Sequence, residues 1–250
     1  MRDILLIIGL FCGSFLNILI DRLPKGEDVI WGRSHCDYCK KKLRWYELVP
    51  IISYVVQYGR CRRCRKHISF QYPTIEFVTG VAYATLFVLY GRSPILFLSS
   101  LLLFSAILVI FIADMKYQII PDSMLVVSIV AVALCAIALG ASTFQLINHG
   151  ISALAAFAFF FFLWIVTKRR GMGLGDAKLA FVLGLFLGFP KIVEAVYFAF
   201  LTGACVGVIL MLTGKRSLKS RIAFGPFLIL GAVLTIMYGE RFMELWQKFI

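Results

Sequence analysis

The chain has 250 residues, 61% of them apolar and 16% charged, with 26 Lys and Arg against 13 Asp and Glu and a formal net charge of +13. Ordinary globular chains are roughly 45–50% apolar and roughly 25% charged, so a water-soluble domain is excluded: too few polar side chains remain to cover a surface in water. A bilayer fits the composition, and the placement of the basic residues decides whether the charge marks a nucleic-acid surface or a membrane orientation.

A window of about 20 apolar residues crosses the hydrocarbon core. Candidate spans fall near 3–20, 74–90, 95–113, 122–140, 149–167, 177–189, 191–213 and 222–239. The expected fold is therefore all-α and polytopic, with about eight transmembrane helices. The first stretch resembles a signal peptide but carries no A-x-A-like cleavage site, so it reads as a retained span. The sixth is short and bounded by Pro190, as a tilted or partly re-entrant segment would be.

Between the first two spans lies the loop 21–73, which carries Cys36-Asp-Tyr-Cys39 and, 21 residues on, Cys61-Arg-Arg-Cys64. Two C-x-x-C turns at this spacing each present two thiolates and together enclose a tetrahedral zinc ion. Four thiolates leave no open coordination position, so the metal is structural. Disulfides compete with this reading, but a reducing compartment opposes them, and a redox C-x-x-C needs no second copy. His35 and His67 lie beside the cysteines and read as solvated side chains rather than ligands. With Trp31, Trp45, Tyr46 and an apolar -VPIISYVV- run, the loop reads as a small folded unit that the metal stabilises. Cys12, Cys135 and Cys205 fall within spans and read as small buried hydrophobes.

Acids near a span are costly and point to function. Glu76 starts span two, either as a helix-start acid or as a contact for a substrate's amino group. Asp114 follows span three in -IFIADMKYQIIPD-, Asp122 follows Pro121 at the start of span four, and Asp176 closes the glycine-rich -RGMGLGDAKLA-. Asp122 reads as an N-cap. Asp114 and Asp176 fall at ends of spans on one side of the membrane, as a carboxylate dyad requires; two neighbouring carboxyls share a proton and can serve together as acid and base. Gly171, Gly173 and Gly175 leave little bulk, so an extended substrate backbone can lie against that loop. The competing reading makes Asp176 a helix cap.

With the loop 21–73 placed in the cytosol, 21 basic residues fall inside. Twelve lie in the loop; the others are Lys116, Lys168, Arg169, Arg170, Lys178, Lys215, Arg216, Lys219 and Arg221. Five fall outside: Arg2, Arg92, Lys191, Arg241 and Lys248. That asymmetry puts the N-terminus outside and accounts for the charge as topology. No stacking platform for bases is visible, so nucleic acid is not an expected partner.

Seven blocks in order then resemble the bacterial type IV prepilin peptidases, the GxGD-type aspartic peptidases. They are -GSFLNILIDRLP- (13–24), the two cysteine pairs, -WYELVPIISYVVQYGRCRRC- (45–64), -ISFQYPTIE- (68–76), -DMKYQIIPD- (114–122), -GMGLGDAKLA- (171–180) and -FGPFLILGA- (224–232). One departure is Ile222-Ala223, where the family pattern has an apolar residue and proline. The resemblance implies a catalytic pair Asp114 and Asp176, without Asp122. It implies cleavage of prepilin or pseudopilin leaders at the cytosolic face of the bacterial inner membrane, in pilus, type II secretion or competence systems. It also implies N-methylation of the new N-terminus with S-adenosylmethionine. Gly59-Arg60 matches a Gly-Lys pair linked to methylation in the family; arginine differs from lysine in hydrogen-bond geometry.

On this reading residues 1–92 hold the first spans and a zinc-binding, methyltransferase-linked loop, and 93–250 form a membrane-embedded peptidase. Two alternatives stand beside it. The zinc loop is only a scaffold in a peptidase without methyltransferase activity, or the aspartates form the relay of a proton-coupled transporter. A transporter site belongs near the bilayer midplane, often between inverted repeats, and no internal repeat is apparent in the sequence. The residues do not fix the oligomeric state.

Overall fold

The computed structural model describes residues 1–29, 31–32, 34–36, 38–168, 172–213 and 223–249, those from 240 onward as helix backbone. Arg33, Arg169, Arg170, Gly171, Lys215, Arg216, Lys219, Arg221 and Ile222 lie outside the described residues, as do the side chains of Arg241 and Lys248. The long helices are α1 (Arg2–Arg22), α3 (Gln71–Tyr90), α4 (Pro94–Tyr117), α5 (Asp122–Ala138), α6 (Thr143–Val166), α7 (Leu174–Leu187), α8 (Lys191–Leu212) and α9 (Gly225–Phe249), with a short α2 (Ile52–Val56) in the first loop. Among the described residues no strand forms; two isolated bridges join His35 to Lys42 and Arg60 to His67. The protein is an all-α, multi-pass membrane protein.

Local chemistry sets the helix ends. Ser142 Oγ accepts the Gln145 N–H at 3.3 Å while Gln145 Oε1 accepts the Ser142 N–H at 2.9 Å, a reciprocal cap that starts α6. Pro121 and Pro190 occupy the N-cap positions of α5 and α8, and α7 stops at Gly188 with φ 67°, a left-handed value that glycine adopts without strain.

Five helical segments among the described residues are long and apolar enough to cross a membrane: Arg2–Lys25, Gln71–Tyr90, Pro94–Tyr117, Thr143–Val166 and Lys191–Leu212. Expected span four is the shorter apolar helix Asp122–Ala138, span six the 14-residue α7, and span eight is fully described only over Gly225–Gly239, so length and composition among the described residues support five crossings directly. The physical reason is clearest in α7. Its 14 residues extend only about 21 Å, against a hydrocarbon core of about 30 Å. Leu179, Ala180, Val182 and Leu183 are buried against protein, so its hydropathy is that of a bundle core.

The chain divides into two compact units, Met1–Ser105 and Ala106–Ile250. In the first, α1 packs closely on α3. A Cβ at Gly9 would lie 2.7 Å from Gly80 Cα, and one at Gly13 would lie 2.6 Å from Glu76 Cα. The two glycines, four apart, therefore let the backbones touch, which matters where lipid removes the usual hydrophobic incentive for association. In the second unit α7 is packed by α5, α6, α8 and α9, and Phe160, Leu179 and Leu228 are fully buried in that core. Phe11, Phe162 and Ile209 point outward more than half exposed, as lipid-facing side chains do. Cys12 and Cys135 are half-buried and Cys205 is exposed, so being small, rather than fully buried, is what suits them to the spans.

Candidate functional site

Asp114 lies in the last turns of α4, not after it, because the helix continues to Tyr117. Asp176 lies in the first turn of α7, three residues after the N-cap Gly173. Both are buried, at 5% and 6% exposure, and the two carboxyl groups interact electrostatically. A third helix completes the arrangement: the backbone N–H of Gly225, the first residue of α9, reaches both carboxyl groups. Asp176 Oδ2 also accepts the Gly173 N–H at 3.0 Å, so the capping role and the clustering with Asp114 coexist in one side chain. Asp114 Oδ2 is buried without a well-formed hydrogen bond. Buried carboxylate oxygens are normally satisfied, and this one is not.

The surrounding residues divide in function. Gly173 is exposed beside Asp176, which leaves its backbone accessible to an extended chain. Gly175 is different: a Cβ there would meet the Ile120 side chain at 3.2–3.4 Å, so the absent side chain makes room for Ile120 rather than for substrate. Asp122 does not cap α5. Pro121 is the N-cap, and the Asp122 carboxylate instead pairs with Lys178 Nζ at 2.6 Å, with 72% of the Asp122 side chain exposed. The -FGPF- block gives Gly225 no role by residue type; the signal in the sequence is a glycine directly before a proline at the start of an apolar helix.

In the first unit, all four ligand sulfurs of Cys36, Cys39, Cys61 and Cys64 lie within 4.8 Å of one another, and the Cys36 and Cys64 Sγ atoms are 3.8 Å apart. Tetrahedral Zn–S bonds of about 2.3 Å give sulfur–sulfur edges of about 3.8 Å, so the group fits zinc. Neither histidine joins the sulfur group. The two knuckles share one backbone plan. Cys36 N–H donates to Lys41 O and Lys40 N–H to Cys36 O; Cys61 N–H donates to Lys66 O and Arg65 N–H to Cys61 O. Lys40 and Arg65 both take left-handed φ, 54° and 60°. This local repeat is absent from the residue letters. Backbone N–H groups of Cys64 and Arg63 hold the Cys61 thiol down to about 7, while burial pushes Cys36 up to about 11. Crowded thiols behave in this way without a cation, because four negative sulfurs cannot coexist uncompensated.

The loop core is not aromatic, since Trp31 and Trp45 are largely exposed; the four-cysteine group and backbone pairing organise it. Gly59 is buried with φ 63°, and a Cβ there would strike the Tyr54 ring at 2.8–3.3 Å. Arg60 is exposed, its backbone bridged to His67. Glu76 is buried and its Oε2 accepts the N–H of Ile51 at 2.7 Å, which fastens a β-branched residue at the unusual φ of 59°.

Two family models match. The Bacterial Peptidase A24 N-terminal domain covers residues 7–90, and the Type IV leader peptidase family covers residues 101–208. A protein named prepilin leader peptidase/N-methyltransferase from Bacillus subtilis is 31% identical, over 99% of this chain and 98% of its own length. Its namesake from Burkholderia pseudomallei is 32% identical over 95% of this chain and 85% of that protein. The one from Pseudomonas aeruginosa is 26% identical over 98% and 92%. No solved structure matches the chain.

Proposed function

This chain belongs to the type IV leader peptidase family, and we propose that it removes the leader of type IV prepilins or pseudopilins at the cytosolic face of the bacterial inner membrane, with Asp114 and Asp176 as the catalytic pair. The observation that carries this reading is the approach of two buried carboxyl groups, one from a helix end and one from a helix start, to the N–H of Gly225. Like charges at such range share a proton, and the pair titrates as a unit.

One carboxylate takes a proton from a water molecule whose oxygen adds to the scissile carbonyl carbon, while the protonated partner gives its proton to the carbonyl oxygen. Collapse of the tetrahedral adduct breaks the C–N bond; the electron pair stays on nitrogen, which takes a proton from the dyad. The N–H groups of Gly173 and Gly225 orient the carboxyls and need no rearrangement during the step. Exposed Gly173 offers its backbone to an extended chain. Because the substrate's apolar helix is confined to the same membrane, the search for the scissile bond is reduced in orientation.

The 21-to-5 distribution of basic residues supports eight crossings with the N-terminus outside and the dyad on the cytosolic side. Residues 93–250 then form the peptidase, and residues 1–92 the part that N-methylates the new N-terminus, with Gly59 and Arg60 linked to that activity. Cys36, Cys39, Cys61 and Cys64 would hold zinc, which in a four-thiolate site is structural. S-adenosylmethionine, when bound, supplies a methyl group to the product amine, whose nitrogen gives up a proton.

The test uses purified protein and a prepilin peptide without any ion gradient, which also separates a peptidase from a proton-coupled transporter. Asp114→Asn and Asp176→Asn each abolish cleavage while the protein still inserts; full cleavage by either variant sinks the dyad. Mass spectrometry of the mature peptide detects the added methyl group, and its consistent absence despite supplied S-adenosylmethionine leaves a peptidase with a scaffold loop.

A further inference from the structure

The short helix α2 is built inside out for a surface in water. Ile52, Val55 and Val56, at positions i, i+3 and i+4, share one helix face, and each is more than half exposed. The polar side chains turn the other way: Ser53 and Gln57, with Tyr54, line a cavity of about 300 Å³ bounded by α1, α3 and the loop. Apolar side chains outward and polar ones inward suit a segment bounded by lipid.

Two contacts set the level at which α2 sits. Ile51, its N-cap, donates its N–H to Glu76 Oε2 at 2.7 Å, and Glu76 lies five residues, about 7.5 Å, into α3. The Tyr54 ring meets the ring of Phe70, the N-cap of α3, with 6.2 Å between centroids. On the other helix, Gly13 packs against the Glu76 backbone and lies nine residues, about 13 Å, before the end of α1. Gln71–Tyr90 and Arg2–Lys25 are both long and apolar enough to cross a membrane. The start of α2 therefore lies beside the first turns of one span and within the length of another, at the depth where headgroups meet acyl chains, and not above the membrane in water.

The charge that follows α2 is of one sign. Residues 48–70 hold no Asp or Glu, and Arg60, Arg62, Arg63, Arg65 and Lys66 in that stretch are all exposed. Tyr58 and Phe70 are exposed too, and aromatic side chains are favoured at this boundary. A basic and aromatic rim beside an apolar face complements an anionic lipid surface.

We infer that the Ile52, Val55 and Val56 face of α2 is seated in the boundary between headgroups and acyl chains of the leaflet at which the loop emerges, with Arg62, Arg63 and Arg65 on anionic phospholipid headgroups. The partner is the lipid of the membrane that α1 and α3 already cross. The seat gives the cysteine loop a third hold on the membrane besides those two helices, and it depends on neither the peptidase nor the methyltransferase reading.

The test places the full chain in nanodiscs of phosphatidylcholine with and without phosphatidylglycerol, each containing a phospholipid with a diazirine near the carbonyl end of one acyl chain. After illumination, trypsin releases residues 45–60 as one peptide, because no Lys or Arg lies between Arg44 and Arg60. Mass spectrometry then finds lipid adducts on Ile52, Val55 or Val56, and phosphatidylglycerol raises their yield. The double variant Val55→Asp, Val56→Asp lowers the yield fivefold or more and keeps the wild-type unfolding temperature in detergent, since both side chains are exposed in the fold. A peptide without adducts while α1 is labelled overturns the inference, as does an undiminished yield in the double variant. A yield that phosphatidylglycerol does not change overturns the part given to the arginines. If adducts are absent and amide hydrogen exchange over residues 52–58 slows only when a prepilin peptide is added, the face belongs to the substrate and the lipid seat is overturned.

Discussion

Gly225 is not one of the left-handed glycines, which among the described residues are Gly26, Gly59, Gly140 and Gly188. Its missing side chain is therefore a matter of room. A Cβ at this position would sit 2.5 Å from Asp114 Oδ2 and 3.3 Å from Ile120 Cδ1. Ordinary contact begins near 3.4 Å, so in Gly225→Ala the carboxylate retreats by about 0.9 Å. A misplacement of about 1 Å at a reacting group costs on the order of 10²-fold, or about 2.7 kcal/mol of barrier. The loss falls on kcat, because the displaced group acts on the reacting bond and not on the rest of the substrate. Initial rates of prepilin peptide cleavage by purified protein, with unfolding temperature as the control for folding, measure it. Gly225→Ala that remains folded and keeps wild-type kcat would show that the room left at Gly225 does not set the position of the Asp114 carboxyl.

Three further outcomes follow from individual contacts. Asp122 and Lys178 form a largely exposed pair, which contributes no more than about 1 kcal/mol; Asp122→Asn thus moves the unfolding midpoint by at most about 2–4 °C and retains cleavage, and a loss equal to that of Asp114→Asn would place Asp122 in the chemistry. Zinc must displace the proton from Cys36, raised to about 11, so apparent zinc affinity rises with pH; below about 7 Cys61 is protonated too, and the dependence steepens there. Chelator competition across pH 6 to 8 reads the slope, a flat profile would contradict thiolate ligation, and Cys36→Ser weakens binding. Glu76→Leu removes the acceptor of the Ile51 N–H and destabilises by about 1–3 kcal/mol, seen as a lowered unfolding temperature, whereas Glu76→Gln keeps an acceptor and loses less.

The cysteine group was legible because a four-thiolate group able to hold zinc is written in residue type and spacing. What the letters conceal is that both knuckles repeat one backbone plan, since Asp-Tyr and Arg-Arg share no chemistry while the hydrogen bonds from Cys36 and Cys61 coincide. Asp114 and Asp176 were visible as acids beside apolar helices. Gly225 was not, because its part depends on α9 arriving between them, and no local pattern encodes an approach between distant helices. Asp122 was misread as a cap for a related reason: Pro121 takes the cap position, and a lysine on α7 lies within reach of the carboxylate. Hydropathy located the helices but not their lengths, since α7 is apolar on account of its protein neighbours.

In apolar surroundings a polar atom without a partner is costly, so the way each buried acid is satisfied separates architecture from chemistry. Glu76 gives Oε2 to the Ile51 N–H, and Asp21 gives Oδ2 to the Tyr72 hydroxyl; both fasten one segment to another. Asp176 Oδ2 accepts the Gly173 N–H, the Gly225 N–H reaches both Asp176 and Asp114, and Asp114 Oδ2 makes no well-formed hydrogen bond. Under the proposed mechanism, such unequal donors suit a pair that passes a proton and takes it back. Glu194 also has an unpaired oxygen, but Gly239 and Thr235 lie beside it and the charge that acts on it among the described side chains is the cation of Lys191, not a second carboxyl. An open oxygen alone does not make a dyad; the second carboxyl does, and among the described residues α4 and α7 bring two together next to the N–H of α9.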